Sequence, residues 1–174
     1  IQYGKCLLLT GAGFSLGAKI TSKINLHFVI AKYIAHELYN ECDVPKENQR
    51  YDLRRASQWY IHSMEKINHS LLQREFIIKK FLDSKELGNF PWRRCYTLNY
   101  DEILERAYLE NNKLLSSVTL SDESEQYRTS SVCVHLNGVI SQLSRATIDN
   151  SFKLTYKSYN KDYIKNTGWW EIFE

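Results

Sequence analysis

The sequence predicts an α/β fold with a doubly wound parallel sheet, and three junctions carry that prediction. In each, a short apolar run breaks into a turn of glycine or polar residues: KCLLLTGAGFSLGA over Lys5–Ala18, RCYTLNYD over Arg94–Asp101, and SVCVHLNG over Ser131–Gly138. The runs are too short for helices. A strand that ends in such a turn and then opens a helix is the repeating unit of open parallel sheets, which bind ligands at the carboxyl ends of their strands. Helical patterns between the first and second junctions expand this Rossmann-like unit with an inserted helical layer over about residues 20–90.

At the first junction Leu7, Leu8 and Leu9 lead directly into Gly11, Gly13 and Gly17, which reads as a buried strand running into a glycine turn. Gly11 permits a tight turn, Ala12 and Gly13 let the main chain approach an anion closely, and Ser15 adds a hydroxyl donor. A lone Gly-x-Gly after an apolar run is often only a turn. The spacing here, Gly-x-Gly-x-x-x-Gly, also differs from the dehydrogenase fingerprint, which wants an acidic residue about 20 positions on at the end of a second strand. Glu37 and Glu41 fall in a helical pattern instead.

Helical spacing follows from Ser22 to Tyr39 through Ile24, Phe28, Ala31, Ile34, Ala35 and Leu38. It recurs over Asp52–Asn68 through Leu53, Ala56, Trp59, Tyr60, Met64 and Ile67, and again over Leu71–Leu82, with a loop over Asp43–Arg50. These faces are core. His27, His36, His62 and His69 belong to this layer as surface or packing residues, since no pair has a third metal ligand near it. Arg54-Arg55 and Arg93-Arg94 read as solvated faces.

At the second junction Arg94–Leu98 is a strand, Asn99-Tyr100-Asp101 the turn, and Glu102 begins a helix with Ile103, Leu104, Ala107 and Tyr108 on one side. Asn99 offers an acceptor and two donors, suited to ribose hydroxyls or an ordered water; Asp101 accepts from an amide or hydroxyl, and either residue could simply cap the helix. Ser116–Leu120 reads as a strand, Ser121–Ser131 as a mobile polar loop, Phe152–Thr155 as a strand, and Lys161 onward as a helix rich in Tyr and Trp. The third junction carries His135, Asn137 and Gly138; a lone histidine on a strand is more often a hydrogen-bonded core residue than a catalyst.

The 174 residues, 43% hydrophobic and 25% charged, suit one globular domain. A net charge of +3 is too small to imply nucleic-acid binding. No apolar stretch approaches the ~20 residues of a membrane span, and no basic-then-apolar leader is present, so a cytoplasmic protein is expected. Cys6, Cys42, Cys95 and Cys133 contain no Cys-x-x-Cys pair, so neither a zinc module nor a disulfide framework is indicated, and Cys6, Cys95 and Cys133, within or beside apolar strand-like runs, are expected as small buried hydrophobes. The chain begins without Met and stops inside a helical pattern at Trp169–Glu174, as a piece of a longer protein would.

Taken together, the three turns resemble the sirtuin-like family. Its opening Gly-Ala-Gly-x-Ser is matched by Gly11-Ala12-Gly13-Phe14-Ser15, and its Thr-x-Asn-x-Asp turn by Thr97-Leu98-Asn99-Tyr100-Asp101. The resemblance covers nearly the whole chain. Trp92, Leu154-Thr155 and Tyr159 look like the bacterial branch involved in phage defence. The third motif departs: the family ends that strand in Leu-His-Gly, its histidine being the catalytic base, whereas this chain has Leu136-Asn137-Gly138 with His135 two places earlier. Either His135 supplies the imidazole from about 7 Å further down the same strand face, or Asn137 fills the histidine slot and proton transfer is weakened.

The resemblance implies a sirtuin-like NAD-binding domain over residues 1–174 in which Gly11, Ala12, Gly13, Phe14, Ser15, Leu98, Asn99 and Asp101 bind the dinucleotide. In catalysis, Asn99 positions water or ribose hydroxyls, Asp101 engages the nicotinamide carboxamide, and His135 or Asn137 fills the base position. Phe14 either covers the cofactor or packs against the first helix. Sirtuin deacylases carry a four-cysteine zinc module that this chain has no residues to build, so the implied activity is hydrolysis of NAD to nicotinamide and ADP-ribose, with no metal. The resemblance further implies an NAD-depleting effector of abortive infection, held as a homo-oligomer or by a sensor such as an Argonaute-like protein, a helicase-type ATPase or a phage-sensing domain. The alternatives are a silent NAD or ADP-ribose sensor and, third, an NAD-dependent lysine deacylase.

Overall fold

A computed structural model describes residues 7–15, 35–36, 38–40, 42–49, 52–62, 88–142, 151–160, 164 and 167–173. Their four strands, β1 (Leu8–Thr10), β2 (Arg94–Thr97), β3 (Ser116–Thr119) and β4 (Val132–His135), form one all-parallel sheet in the order β1-β2-β4-β3. The helices are α1 (Leu53–His62), α2 (Ile103–Glu110), α3 (Tyr156–Tyr159) and α4 (Gly168–Phe173). The α/β class expected from the junctions is the one observed.

Register sets the geometry of everything that follows. Thr10 pairs with Thr97, Thr97 with His135, and His135 with Thr119. Each is the last residue of its strand, so all four strands end level and their turns open along one rim. Because side chains alternate faces, Thr10, Thr97 and His135 point the same way as Leu8, Cys95 and Cys133.

Both faces of the sheet are covered over β2 and β4. On one, Cys95 and Cys133 pack with Leu104 and Tyr108 of α2 and with Leu115, joined by the partly buried Leu8, Phe14 and Trp92. On the other, Tyr96, Val118, Val132 and Val134 surround Trp169 of α4. The residues expected on the inner side of α2, Ile103, Leu104, Ala107 and Tyr108, are all buried. Cys95 and Cys133 are the buried free thiols their apolar runs predict.

Several expectations are corrected. Leu7 and Leu9 are 47% and 61% exposed: among the described residues β1 has a strand neighbour on one side only, and the cluster around Trp169 does not include it. Trp59 is exposed on α1, whose inner side is Leu53, Ala56 and Tyr60. Phe152–Thr155 is no strand: Lys153 N–H reaches the Asn137 carbonyl at 3.0 Å, and Thr155 then caps α3 in a reciprocal box with Ser158. The polar stretch Ser121–Ser131 folds through a 3-10 turn at Ser124–Tyr127, held where Trp169 Nε1 donates to the Asp122 carbonyl at 2.8 Å. Most of the pattern from Ser22, the run Leu71–Leu82, and Cys6, Gly17, His27, Met64, Ile67 and His69 lie outside the described residues. No helix among the described residues is long and apolar enough to cross a membrane.

Candidate functional site

Three turns rise from neighbouring strand ends: Gly11–Ser15 after β1, Leu98–Asp101 after β2 and Leu136–Gly138 after β4. They meet in one buried polar cluster. Asn99 Nδ2 donates to Ser15 Oγ at 2.8 Å, and Ser15 Oγ donates to Asp101 Oδ2 at 2.6 Å. The direction of these bonds is forced. Ser15 has one hydroxyl proton, which goes to the carboxylate, so its oxygen must accept from Asn99. The Asn99 amide is thereby oriented with its NH₂ inward and Oδ1 free of these contacts. Its backbone is fixed as well, the N–H donating to Thr97 Oγ1 at 3.0 Å.

Asp101 does two jobs. One oxygen takes the Ser15 hydroxyl, and Oδ1 accepts the Ile103 N–H at 3.3 Å, opening α2 where Glu102 offers no side-chain cap. Burial pushes its carboxyl up to about 6, against the opposing pull of the Ser15 and Ile103 bonds.

The third turn acts on the second through its backbone. Asn137 Nδ2 donates to the Leu98 carbonyl at 2.7 Å. His135 Nδ1 lies 3.1 Å from the Asn99 carbonyl, and Nε2 lies 2.8 Å from Glu105 Oε1 on α2. Both of its neighbours are oxygens, so the doubly protonated ring can donate from both nitrogens at once, and the neutral ring from one. Burial alone would depress the imidazole, but the hydrogen bond and charge of Glu105 outweigh it and the net shift is upward. Gly138 closes this turn at φ +96°, and a Cβ there would lie 2.8 Å from Phe152.

At the first turn, Ala12 and Gly13 are exposed and a Cβ on Gly11 or Gly13 would meet nothing within 4 Å. The backbone beside the cluster is therefore open to close approach, which fits a phosphate-bearing ligand. Leu98 stands exposed at the rim, and Phe14 packs partly against the Cys95–Leu104 cluster.

No family model and no curated protein matches the chain.

Of the residues expected at the site, Ser15, Asn99, Asp101, His135 and Asn137 are joined directly or through one carbonyl. Glu105 was not legible as a member, since it reads as the polar side of an amphipathic helix. The available signal was its i,i+4 spacing from Asp101, which sets two carboxylates on one side of the chain at a strand end. Ligand atoms of Glu105, Cys133 and His135 lie within 4.8 Å of one another, the one group among the described residues that could hold a metal ion. As they stand, a proton sits between His135 Nε2 and Glu105 Oε1, Glu105 Oε2 is buried without a hydrogen-bond partner among the described residues, and burial and the facing Glu105 push the Cys133 thiol well up. His36 bonds Asn40 on its own helix, while Arg54 and Arg55 are exposed, with Arg54 lying 4.4 Å over the Tyr159 ring.

Proposed function

We propose that this chain is a sirtuin-like NAD-binding domain of Rossmann-like, doubly wound topology that hydrolyses NAD to nicotinamide and ADP-ribose. The observation that carries the reading is the direct bonding of Ser15 to Asn99 and Asp101. It joins two motifs 84 and 86 residues apart at the level ends of adjacent parallel strands.

Each residue has a task that follows from its contacts. The open backbone at Gly11–Gly13 takes the pyrophosphate. Asp101 holds the Ser15 proton, Ser15 then holds the Asn99 NH₂, and Asn99 Oδ1 is left to accept from the attacking water or a ribose hydroxyl. As water adds to the ribose carbon, the bond to nicotinamide breaks with its electron pair leaving on the ring nitrogen. The proton that water loses passes to solvent, while Asp101, ionised at neutral pH with a value of about 6, keeps the Ser15 proton on itself and so keeps Asn99 Oδ1 turned to the water. Positioning and preorganised dipoles supply most of the acceleration. In this reading His135 and Asn137 support the Asn99 turn. A domain that destroys NAD is harmful at rest, so it works under the control of an oligomer or a sensor partner, as an effector in anti-phage defence.

Chromatography of NAD incubated with the purified full-length protein and its partner tests the proposal, with release of free nicotinamide and ADP-ribose expected. One observation favours a second reading, a silent NAD or ADP-ribose sensor: neither ring nitrogen of His135 is left to act as a base. Calorimetry giving tight NAD binding while NAD stays intact would establish that reading and remove the first.

A further inference from the structure

We infer that Glu105 is a positioning residue for NAD cleavage: by holding His135 from behind, it fixes the Asn99 carbonyl and with it the direction in which the Asn99 amide faces the substrate. The inference rests on the proposed activity.

The Asn99 turn has no regular secondary structure of its own, so its shape depends on side chains brought to it. The N–H has Thr97, the amide has Ser15, and among the described residues the carbonyl has His135 at 3.1 Å. That ring is fully buried at the end of β4, and its Nδ1 bond to the Asn99 carbonyl engages one edge only. Glu105 engages the far edge at 2.8 Å, and its side chain is itself only 12% exposed. Two fixed points, one on α2 and one on the Asn99 turn, therefore define the plane of the ring. Alternation along β4 places His135 above Cys133, on the α2 face of the sheet, which is why a helix residue can reach it. The carboxylate's charge complements the doubly donating ring, but an amide of the same shape can do the geometric part. A glutamine would donate to Nε2, leaving the Nδ1 proton on the Asn99 carbonyl.

That difference makes the test. In the full-length protein with its partner, Glu105→Ala is expected to lower kcat on the order of 10- to 100-fold with KM for NAD little changed, the scale of a small misplacement of a catalytic group. Glu105→Gln is expected to restore most of kcat. Independently of activity, ¹⁵N spectra of His135 followed against pH should show the doubly protonated ring persisting to higher pH in the wild type than in Glu105→Gln, whose neutral ring keeps its proton on Nδ1. An unchanged kcat in Glu105→Ala, a loss confined to KM, or a Glu105→Gln as impaired as Glu105→Ala overturns the inference. So does one equivalent of zinc bound to the wild type and lost with Glu105. Should Glu105→Ala not fold, Glu105→Gln and the spectra decide alone. Wild-type protein that leaves NAD intact sinks the proposed activity instead, while the spectra still report on the Glu105–His135–Asn99 link.

Discussion

Replacing Ser15 with Ala removes the hydroxyl between Asn99 and Asp101, and the size of the loss should depend on pH in a definite direction. The Asp101 carboxyl, raised from 3.8 to about 6, binds its proton more tightly folded than unfolded, so stability falls as pH climbs from about 4 to about 6 and levels off beyond. Raising the carboxyl from 3.8 to about 6 corresponds to about 3 kcal/mol. The Ser15 bond is one of the contacts holding the value down, so Ser15→Ala moves it further up and extends the decline above pH 6. At pH 8 the variant loses a hydrogen bond to a charged group, about 1.5–3 kcal/mol, and leaves the Asn99 amide unpaired for roughly 1 kcal/mol more. At pH 5, with Asp101 protonated, both lost bonds are neutral and the loss is about 2 kcal/mol. Urea unfolding of both proteins at pH 5 and pH 8 measures the difference directly. An equal loss at the two pH values, or a larger one at pH 5, would refute the assignment of Asp101 as a buried carboxyl held by Ser15.

Asn99→Ala should reduce NAD cleavage on the order of 10²- to 10³-fold, read by nicotinamide release, while the melting temperature moves by only a few degrees. His135→Ala leaves the Glu105 carboxylate buried without its partner and should cost about 3–5 kcal/mol in denaturant unfolding, whereas Asn137→Ala, losing one neutral bond to the Leu98 carbonyl, should cost roughly 1 kcal/mol. His135, raised above its usual 6.5, contributes stability that is fully present below that value and lost as pH rises through the higher folded value; Glu105→Gln should flatten that slope in thermal melts against pH. Gly138→Ala forces a side chain into a left-handed position against Phe152 and should destabilise the fold by about 1–3 kcal/mol.

What the sequence made legible follows from which signals are local. β2, β4 and α2 were legible because an apolar run, a polar turn and a helical face are written within about twenty consecutive residues, and Ile103, Leu104, Ala107 and Tyr108 fell on the inner side as the spacing required. The exposure of Leu7 and Leu9 was not legible, since three consecutive leucines read as buried whichever side of a strand is covered. Phe152–Thr155 misled because three apolar or β-branched residues outweighed the weaker Thr155-x-x-Ser158 capping signal. At the site, the motif spacing brought Ser15, Asn99 and Asp101 forward together. It could not show that His135 would face two acceptors, because one of them is a backbone carbonyl and the other lies on a helix whose polar side looks like ordinary surface.

The level strand ends also set the order in which the cluster comes together during folding. The contacts of His135 with Glu105 and Asn99 close loops of 30 and 36 residues, whereas those of Ser15 with Asn99 and Asp101 close loops of 84 and 86. The longer closures cost about 1 kcal/mol more chain entropy, and among the described residues β1 brings to them three paired residues on one side. The β2–β4 half is thus the earlier and more durable piece. On partial opening the glycine turn detaches first, with the Leu9 and Thr10 amides exchanging with solvent ahead of those in β4.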